Sequence, residues 1–175
     1  MKRIVVIIGI LLATACVAVS QQSGSGRIHS SNLPLGKTEA EKTILAVIDE
    51  MAKSHQTYLN VPIQDGIALR LLTEVTGAKN VVEIGTSTGY SGLWFCLALQ
   101  TTGGHLTTFE IDHQRASMAR EHFKNAGVEK MVSIVEGDAH EQVAKLKGPV
   151  DVACLDAEKG GYVDYLNKIL PLLRP

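Results

Sequence analysis

What this sequence lacks narrows it first. It carries three cysteines in 175 residues, too few and too scattered for a disulfide framework or a zinc site. Cys96 and Cys154 sit inside apolar runs, where a thiol behaves as a small hydrophobe. Net charge is also missing: 17 lysines and arginines against 18 aspartates and glutamates leave −1 at pH 7. No basic stripe interrupts that balance, so the electrostatic footprint of a nucleic-acid binder is absent. No internal repeat is visible. The length suits one domain with a real core and is too short for two of ordinary size.

What is present begins with a leader. Lys2 and Arg3 precede an uncharged apolar run from Ile4 to Val19, the pattern of a secretory signal. The run falls short of the roughly 20 residues that span a bilayer comfortably. Two processing sites compete. Ala18-Val19-Ser20 resembles a signal-peptidase site, and Leu12-Ala13-Thr14-Ala15-Cys16 resembles a bacterial lipobox, with Ala13 where leucine is commoner. An uncleaved, slightly short anchor is the third option. Residues 1–20 are therefore read as a signal peptide or lipoprotein leader, and residues 21–36, rich in serine and glycine, as a flexible linker. The expectation is an exported or membrane-anchored protein that meets the membrane only through the leader or a lipid anchor; cytoplasmic location is the alternative if the leader is not used.

Residues 37–175 read as the folded domain. Thr38-Glu39-Ala40-Glu41 is a capping box, followed by Ile44, Leu45, Val47, Ile48 and Met51 at helical spacing over 38–54. Pro62 suits the first turn of a second helix, with Ile67, Leu69, Leu71, Leu72 and Val75 expected to face inward. From residue 80 onward apolar strands alternate with helices. The strands are Asn80–Ile84, His105–Glu110, Val132–Glu136 and Val150–Leu155; the helices are Tyr90–Gln100, His113–Asn125, His140–Leu146 and Tyr162–Leu173. Such alternation predicts an α/β fold: a Rossmann-like, doubly wound parallel sheet behind two N-terminal helices.

The chemistry gathers at the strand ends. Val81-Val82-Glu83-Ile84-Gly85-Thr86-Ser87-Thr88-Gly89-Tyr90-Ser91-Gly92 is a strand, a glycine turn and a helix start. Its G-x-x-x-G-x-x-G spacing is not the G-x-G-x-x-G of a dinucleotide site, which suits a nucleoside with an amino-acid tail better than a pyrophosphate. Glu110 closes the next strand, where a carboxylate can accept hydrogen bonds from both ribose hydroxyls. The third strand ends at Glu136-Gly137-Asp138-Ala139, a small residue and an acid fit to border an adenine. The fourth ends at Leu155-Asp156-Ala157-Glu158-Lys159. Four strand ends thus present polar groups on one rim.

With those residues in place, the segment from Asn60 to Pro175 resembles the cation-dependent O-methyltransferases that include the caffeoyl-CoA and catechol enzymes. The motifs that carry the resemblance are Asn60-Val61-Pro62 with Asp65-Gly66, Glu83-Ile84-Gly85-Thr86, Thr88-Gly89-Tyr90-Ser91, Ala126-Gly127-Val128, and Asp156-Ala157-x-Lys159-x-x-Tyr162. The resemblance implies a methyltransferase fold in which Val61, Glu83, Gly85, Thr86 and Ser91 surround the methionine part of S-adenosylmethionine. Glu110 would hold the ribose, with Asp138 and Ala139 by the adenine. Asp156 would bind a divalent cation such as Mg²⁺ that orients a small, phenolic hydroxyl acceptor, and Lys159 would assist its deprotonation. A homodimer is a further expectation of the resemblance.

Two departures qualify it. Glu158 stands where the family has aspartate. The chain also ends at Leu173-Arg174-Pro175, before the fifth strand and the Asp-Asn pair that would complete the metal site, so the domain is expected to lack its last strands and to leave the edge of the fourth strand unpaired. An exported location would separate the domain from a donor made in the cytoplasm. A catalytically degenerate, exported binding protein on the same fold is therefore the alternative, and an NAD-dependent oxidoreductase is disfavoured by the glycine spacing.

Overall fold

The computed structural model describes residues 7–9, 33–54 and 60–174. The residues of both candidate processing sites, 12–20, lie outside the described residues. Five parallel strands form one sheet in the order β1-β5-β2-β3-β4, with β1 at Ile7–Gly9, β2 at Asn80–Ile84, β3 at His105–Glu110, β4 at Val132–Glu136 and β5 at Val152–Leu155. The bounds of β2, β3 and β4 are those expected. β5 starts two residues late because Val150 pairs with Leu173 instead, donating its N–H to the Leu172 carbonyl at 2.8 Å and accepting from Arg174 at 2.9 Å. The expectation of an unpaired β5 edge is corrected: Ile7–Gly9 runs parallel along Ala153–Leu155. A row of unpaired N–H and C=O groups is a template for any extended segment within reach, and residues from the expected leader fill it.

Six helices cover the sheet: α1 (Glu39–Lys53), α2 (Ile63–Val75), α3 (Tyr90–Thr102), α4 (His113–Asn125), α5 (Ala139–Gln142) and α6 (Tyr162–Ile169). None of the described helices is long and apolar enough to cross a membrane. Thr38 caps α1 by accepting from the Glu41 N–H at 3.1 Å, while Glu41 reaches back one residue further than expected, to the Lys37 N–H at 2.8 Å. The last two helices are shorter than the sequence pattern predicts. α5 gives way to a 3-10 turn at Val143–Lys145, and α6 to another at Leu170–Leu172. Pro171 lacks an N–H and cannot extend the i to i−4 ladder, so α6 ends at Ile169 and the chain tightens into the 3-10 turn with Leu170 still in helical geometry.

α2 holds the clearest misreading. Ile67, Leu71 and Val75 are 37%, 56% and 77% exposed, while Ile63, Gly66, Leu69 and Thr73 are buried. The contact that sets this rotation is Gly66 against the indole of Trp94, where any Cβ would run into the ring. A glycine counts as neutral in a hydrophobic pattern, yet here it marks the tightest point of the helix–helix seam.

α3 is the centre of the core. Leu93 through Leu99 are all fully buried, as expected of a helix that is apolar all round. Side chains alternate across the sheet: Val81, Leu106, Val152 and Cys154 face α1–α4, and Val82, Ile84, Phe109, Ala153 and Leu155 face α5 and α6. From β2 the chain winds outward through α3 and α4 to β4, then crosses under the sheet to place β5 on the other side of β2. The winding therefore reverses between β2 and β5. Ligands bind at such a reversal, outside the carboxyl ends of the strands.

Candidate functional site

A cavity of about 740 Å³ opens there, within the range that encloses a drug-sized ligand. The ends of β2, β3, β4 and β5 contribute to it. β2 leads into Gly85, Thr86 and Ser87, and α3 adds Tyr90 and Ser91. β3 gives Glu110 and Ile111, β4 gives Asp138, Ala139 and His140, and β5 gives Asp156, Ala157 and Glu158; Asn60 and Val61 close one side.

The glycine turn has a steric origin. Gly85 has φ +106°, and a Cβ there would strike the carbonyl oxygen of Asp156. Only glycine lets β2 and β5 approach this closely at the point where the chain turns. Ser87 follows with φ +47°, an uncommon value for a residue with a side chain. Its conformation aims its N–H at Glu110 Oε2, 2.7 Å away. Glu110 Oε1 accepts from the Asp112 N–H at 3.0 Å and pairs with Arg115 Nη2 at 2.9 Å. The Glu110 side chain is 4% exposed, so this carboxylate is held in place by two backbone donors and a guanidinium.

The other expected residues divide into three groups. Val61, Gly85, Thr86, Ser91, Glu110, Asp138, Ala139 and Asp156 all line the cavity. Asp138 has a second task, capping α5 by accepting from the His140 N–H at 2.8 Å. Glu83 does not line the cavity. It is fully buried behind the turn, accepting from Ser91 Oγ and Thr108 Oγ1, each at 2.6 Å. Burial pushes its carboxyl up to about 7. Lys159 is exposed at the start of a short 3-10 turn and outside the cavity lining, rather than desolvated as a lysine base would be.

Asp156 is half-buried, and desolvation raises its carboxyl above the ordinary range. Among the described residues no group of three or more His, Cys, Asp or Glu is placed to hold a metal ion. One carboxylate does not fit a hard divalent cation that takes six oxygen ligands, so no step below runs through one.

Several lining residues escaped the sequence reading. Arg115 sits one turn into α4 and folds back on Glu110; its place five residues after the strand-end acid was the available signal. Ile111 is 69% exposed at the cavity rim, an apolar side chain left in solvent beside the expected sugar site. His140 and Tyr165 stack with ring centroids 4.5 Å apart. His140 also pairs with Asp164 at 2.5 Å and with Glu158 at 3.1 Å, while the Tyr165 hydroxyl donates to Glu158 at 2.5 Å. Glu158, at the family's aspartate position, is thus drawn toward α6. These contacts join segments about 20 residues apart and leave no local pattern. Asn60 lines the cavity, and its buried Nδ2 has no hydrogen-bond partner among the described residues.

A glycine turn at the switch point with a locked carboxylate closing the next strand is the arrangement by which doubly wound α/β proteins receive a nucleoside. Comparison with known proteins takes this further: residues 36–175 match the model of the O-methyltransferase family, and the chain belongs to that family. It is 33% identical over 139 residues to the catechol O-methyltransferase of Niastella koreensis, covering 77% of this chain and 62% of that one. Two solved structures are similar at 30% identity and TM-score 0.69. One is the O-methyltransferase of Bacillus cereus in complex with SAH, covering 83% of this chain and 66% of that one. The other is TomG of Streptomyces achromogenes, an O-methyltransferase involved in tomaymycin synthesis, in complex with SAM, at 83% and 65%. The chain spans between half and two thirds of the length of the curated relatives it matches.

Proposed function

We propose that this chain is the donor-binding part of an S-adenosylmethionine-dependent O-methyltransferase whose acceptor is a small molecule with a phenolic, catechol-like hydroxyl. The observation that carries the reading is Glu110, locked by Ser87, Asp112 and Arg115 at the mouth of the switch-point cavity. Oε2 has one donor in place, which leaves a lone pair for a sugar hydroxyl. The donor fits the cavity on two further counts. Gly85 leaves backbone where a side chain would intrude, and Asn60 Nδ2 waits unpaired.

Bound there, S-adenosylmethionine would supply an electrophilic methyl group for an in-line displacement, a reaction in which most of the catalysis is positioning. The residues of this chain do that positioning. Glu110 fixes the ribose, Ile111 and Ala139 offer apolar surface to the base, and Thr86 and Ser91 face the amino-acid end. Asp156 stands on the acceptor side of the cavity, where its carboxylate can take a hydrogen bond from the acceptor hydroxyl. Lys159 reaches that hydroxyl only if its turn folds inward. The divalent cation expected from the resemblance would find only the Asp156 carboxylate among these residues, so the proposal routes nothing through it.

A second reading, a donor-binding protein without turnover on the same fold, is favoured by one observation: the acceptor side offers a single carboxylate and an outward lysine. Calorimetry with S-adenosylhomocysteine and with NAD, followed by a methyl-transfer assay on catechol with Mg²⁺, tests both. Binding of the first ligand and not the second is expected. Failure to bind S-adenosylhomocysteine refutes the proposal, and binding without methyl transfer selects the second reading. For residues 1–20 we keep the leader as part of the proposal, with export or membrane anchoring tested by N-terminal sequencing of the mature protein. A mature chain that retains Met1 through Gly9 would assign Ile7–Gly9 to the sheet instead.

A further inference from the structure

Glu83 stands apart among the buried acids because nothing positive is near it. It is completely enclosed and, among the described residues, makes no ion pair with a lysine, arginine or histidine. Glu41 has Arg70, and Glu110 has Arg115; Glu83 has two hydroxyls. The groups facing it from every packed element are neutral or acidic: Ser91 and the Cys96 thiol on α3, Thr108 and Glu110 on β3, Cys154 and Asp156 on β5. An unpaired buried carboxylate is costly, and such groups take up a proton instead.

Its hydroxyl partners lead to the ligand. Ser91 Oγ donates to Oε1 and Thr108 Oγ1 to Oε2, and Thr86 Oγ1 lies 2.6 Å from Thr108 Oγ1. Thr108 has spent its one proton on Glu83, so Thr86 must donate to Thr108. With Glu83 ionised, Ser91 and Thr86 therefore point their protons inward and turn lone pairs to the cavity, the polarity that receives an ammonium. With Glu83 protonated, the acid can donate to Ser91 and that polarity reverses.

We propose that Glu83 is a positioning residue whose counter-ion is the ligand's ammonium: when the ammonium of the donor's zwitterionic amino-acid end reaches Ser91 and Thr86, with its carboxylate turned away from them, Glu83 gives up its proton to solvent. The inference rests on the donor-binding reading above and adds to it a proton released on binding. The bookkeeping is simple. The carboxylic acid becomes a carboxylate, the proton goes to the buffer, and the ligand's ammonium, already charged, neither gains nor loses one. A carboxyl that titrates near neutrality in the free protein makes the release visible at ordinary pH.

Calorimetry of the full chain at pH 7, with EDTA present and in buffers of different ionisation enthalpy, reads the proton count. S-Adenosylhomocysteine carries the ammonium; 5′-methylthioadenosine keeps the adenosine and the sulfur and lacks it. The first is expected to release roughly half a proton per ligand and the second none. Glu83→Gln should lose the release and still bind 5′-methylthioadenosine within threefold of wild type, which also certifies its fold. If Glu83→Gln does not fold, the wild-type difference between the two ligands decides. Binding of S-adenosylhomocysteine with no proton exchanged, or release that survives in Glu83→Gln, overturns the inference and leaves the donor-binding reading standing. No binding of either ligand overturns both.

Discussion

The two sides of the cavity are built differently. On the side of β2 and β3 the acids and the hydroxyls behind the cavity are tied down: Glu110 has three donors, Glu83 two, and Thr86 and Ser91 are held from behind. On the β5 side, Asp156 is half-buried without a cation, Glu158 is turned to His140 and Tyr165, and Lys159 stands in solvent. Preorganised polar groups lose little freedom when a ligand arrives. On the proposed reading, the described residues form a finished donor corner and an open acceptor corner, so binding and turnover should respond to different substitutions.

The sharpest way to break the finished side is Gly85→Ala. With φ at +106° and the Asp156 carbonyl in the way, the variant should lose about 3 kcal/mol of stability in urea unfolding and all affinity for S-adenosylhomocysteine. A variant as stable as the parent would show that β2 and β5 need not approach so closely. Next, Glu110→Gln should weaken S-adenosylhomocysteine about 50-fold by calorimetry, the scale of charge-assisted hydrogen bonds lost from a buried site. Lys159→Met, on the open side, should leave that affinity within twofold, and equal losses in the two variants would erase the contrast.

Two pH effects follow, with signs fixed by proton counting. The folded state holds the Glu83 proton to about 7 and the unfolded chain only to about 4.5. The associated stability is thus fully present below 4.5 and is lost as pH climbs to and through 7. Unfolding free energy should fall by about 2 kcal/mol between pH 5 and 7, and Glu83→Gln should flatten that slope. His140 gives a smaller effect at higher pH. Its hydrogen bond to Asp164 raises it, and contact with Glu158 adds to this. Its contribution is present below about 6.5 and is lost as pH rises through the folded value. Because the pair is exposed, the change is expected only as a slight drop in the urea midpoint between pH 6 and 8, absent in His140→Asn. An imidazole that titrates by NMR below its ordinary value would contradict the pairing of His140 with Asp164 and Glu158.

How much of this was legible follows from where each signal lived. The strands and the acid that closes β3 were readable because continuous apolar runs ending in polar residues state their own limits. The rotation of α2 was not, since its apolar residues cover more than half the helix and the choice is made by Gly66 meeting Trp94 some 28 positions later (94 − 66). The β5 edge was misread because its partner comes from a segment whose composition points to a leader. Glu83 was expected around the methionine part of the donor, in the cavity wall, whereas it lies buried behind Ser91; a one-residue shift along a strand changes the face that a side chain takes. Glu158 and His140 find each other only in three dimensions.

The central claim is that the cavity takes an adenosyl ligand on Glu110. Backbone NMR of the isotope-labelled chain, titrated with S-adenosylhomocysteine, tests it most directly. The largest shifts are predicted at Ser87, Glu110, Ile111 and Ala139, with the Ser87 and Asp112 amides that donate to Glu110 still protected. Saturable shifts that spare those positions, or none at millimolar ligand, would contradict it.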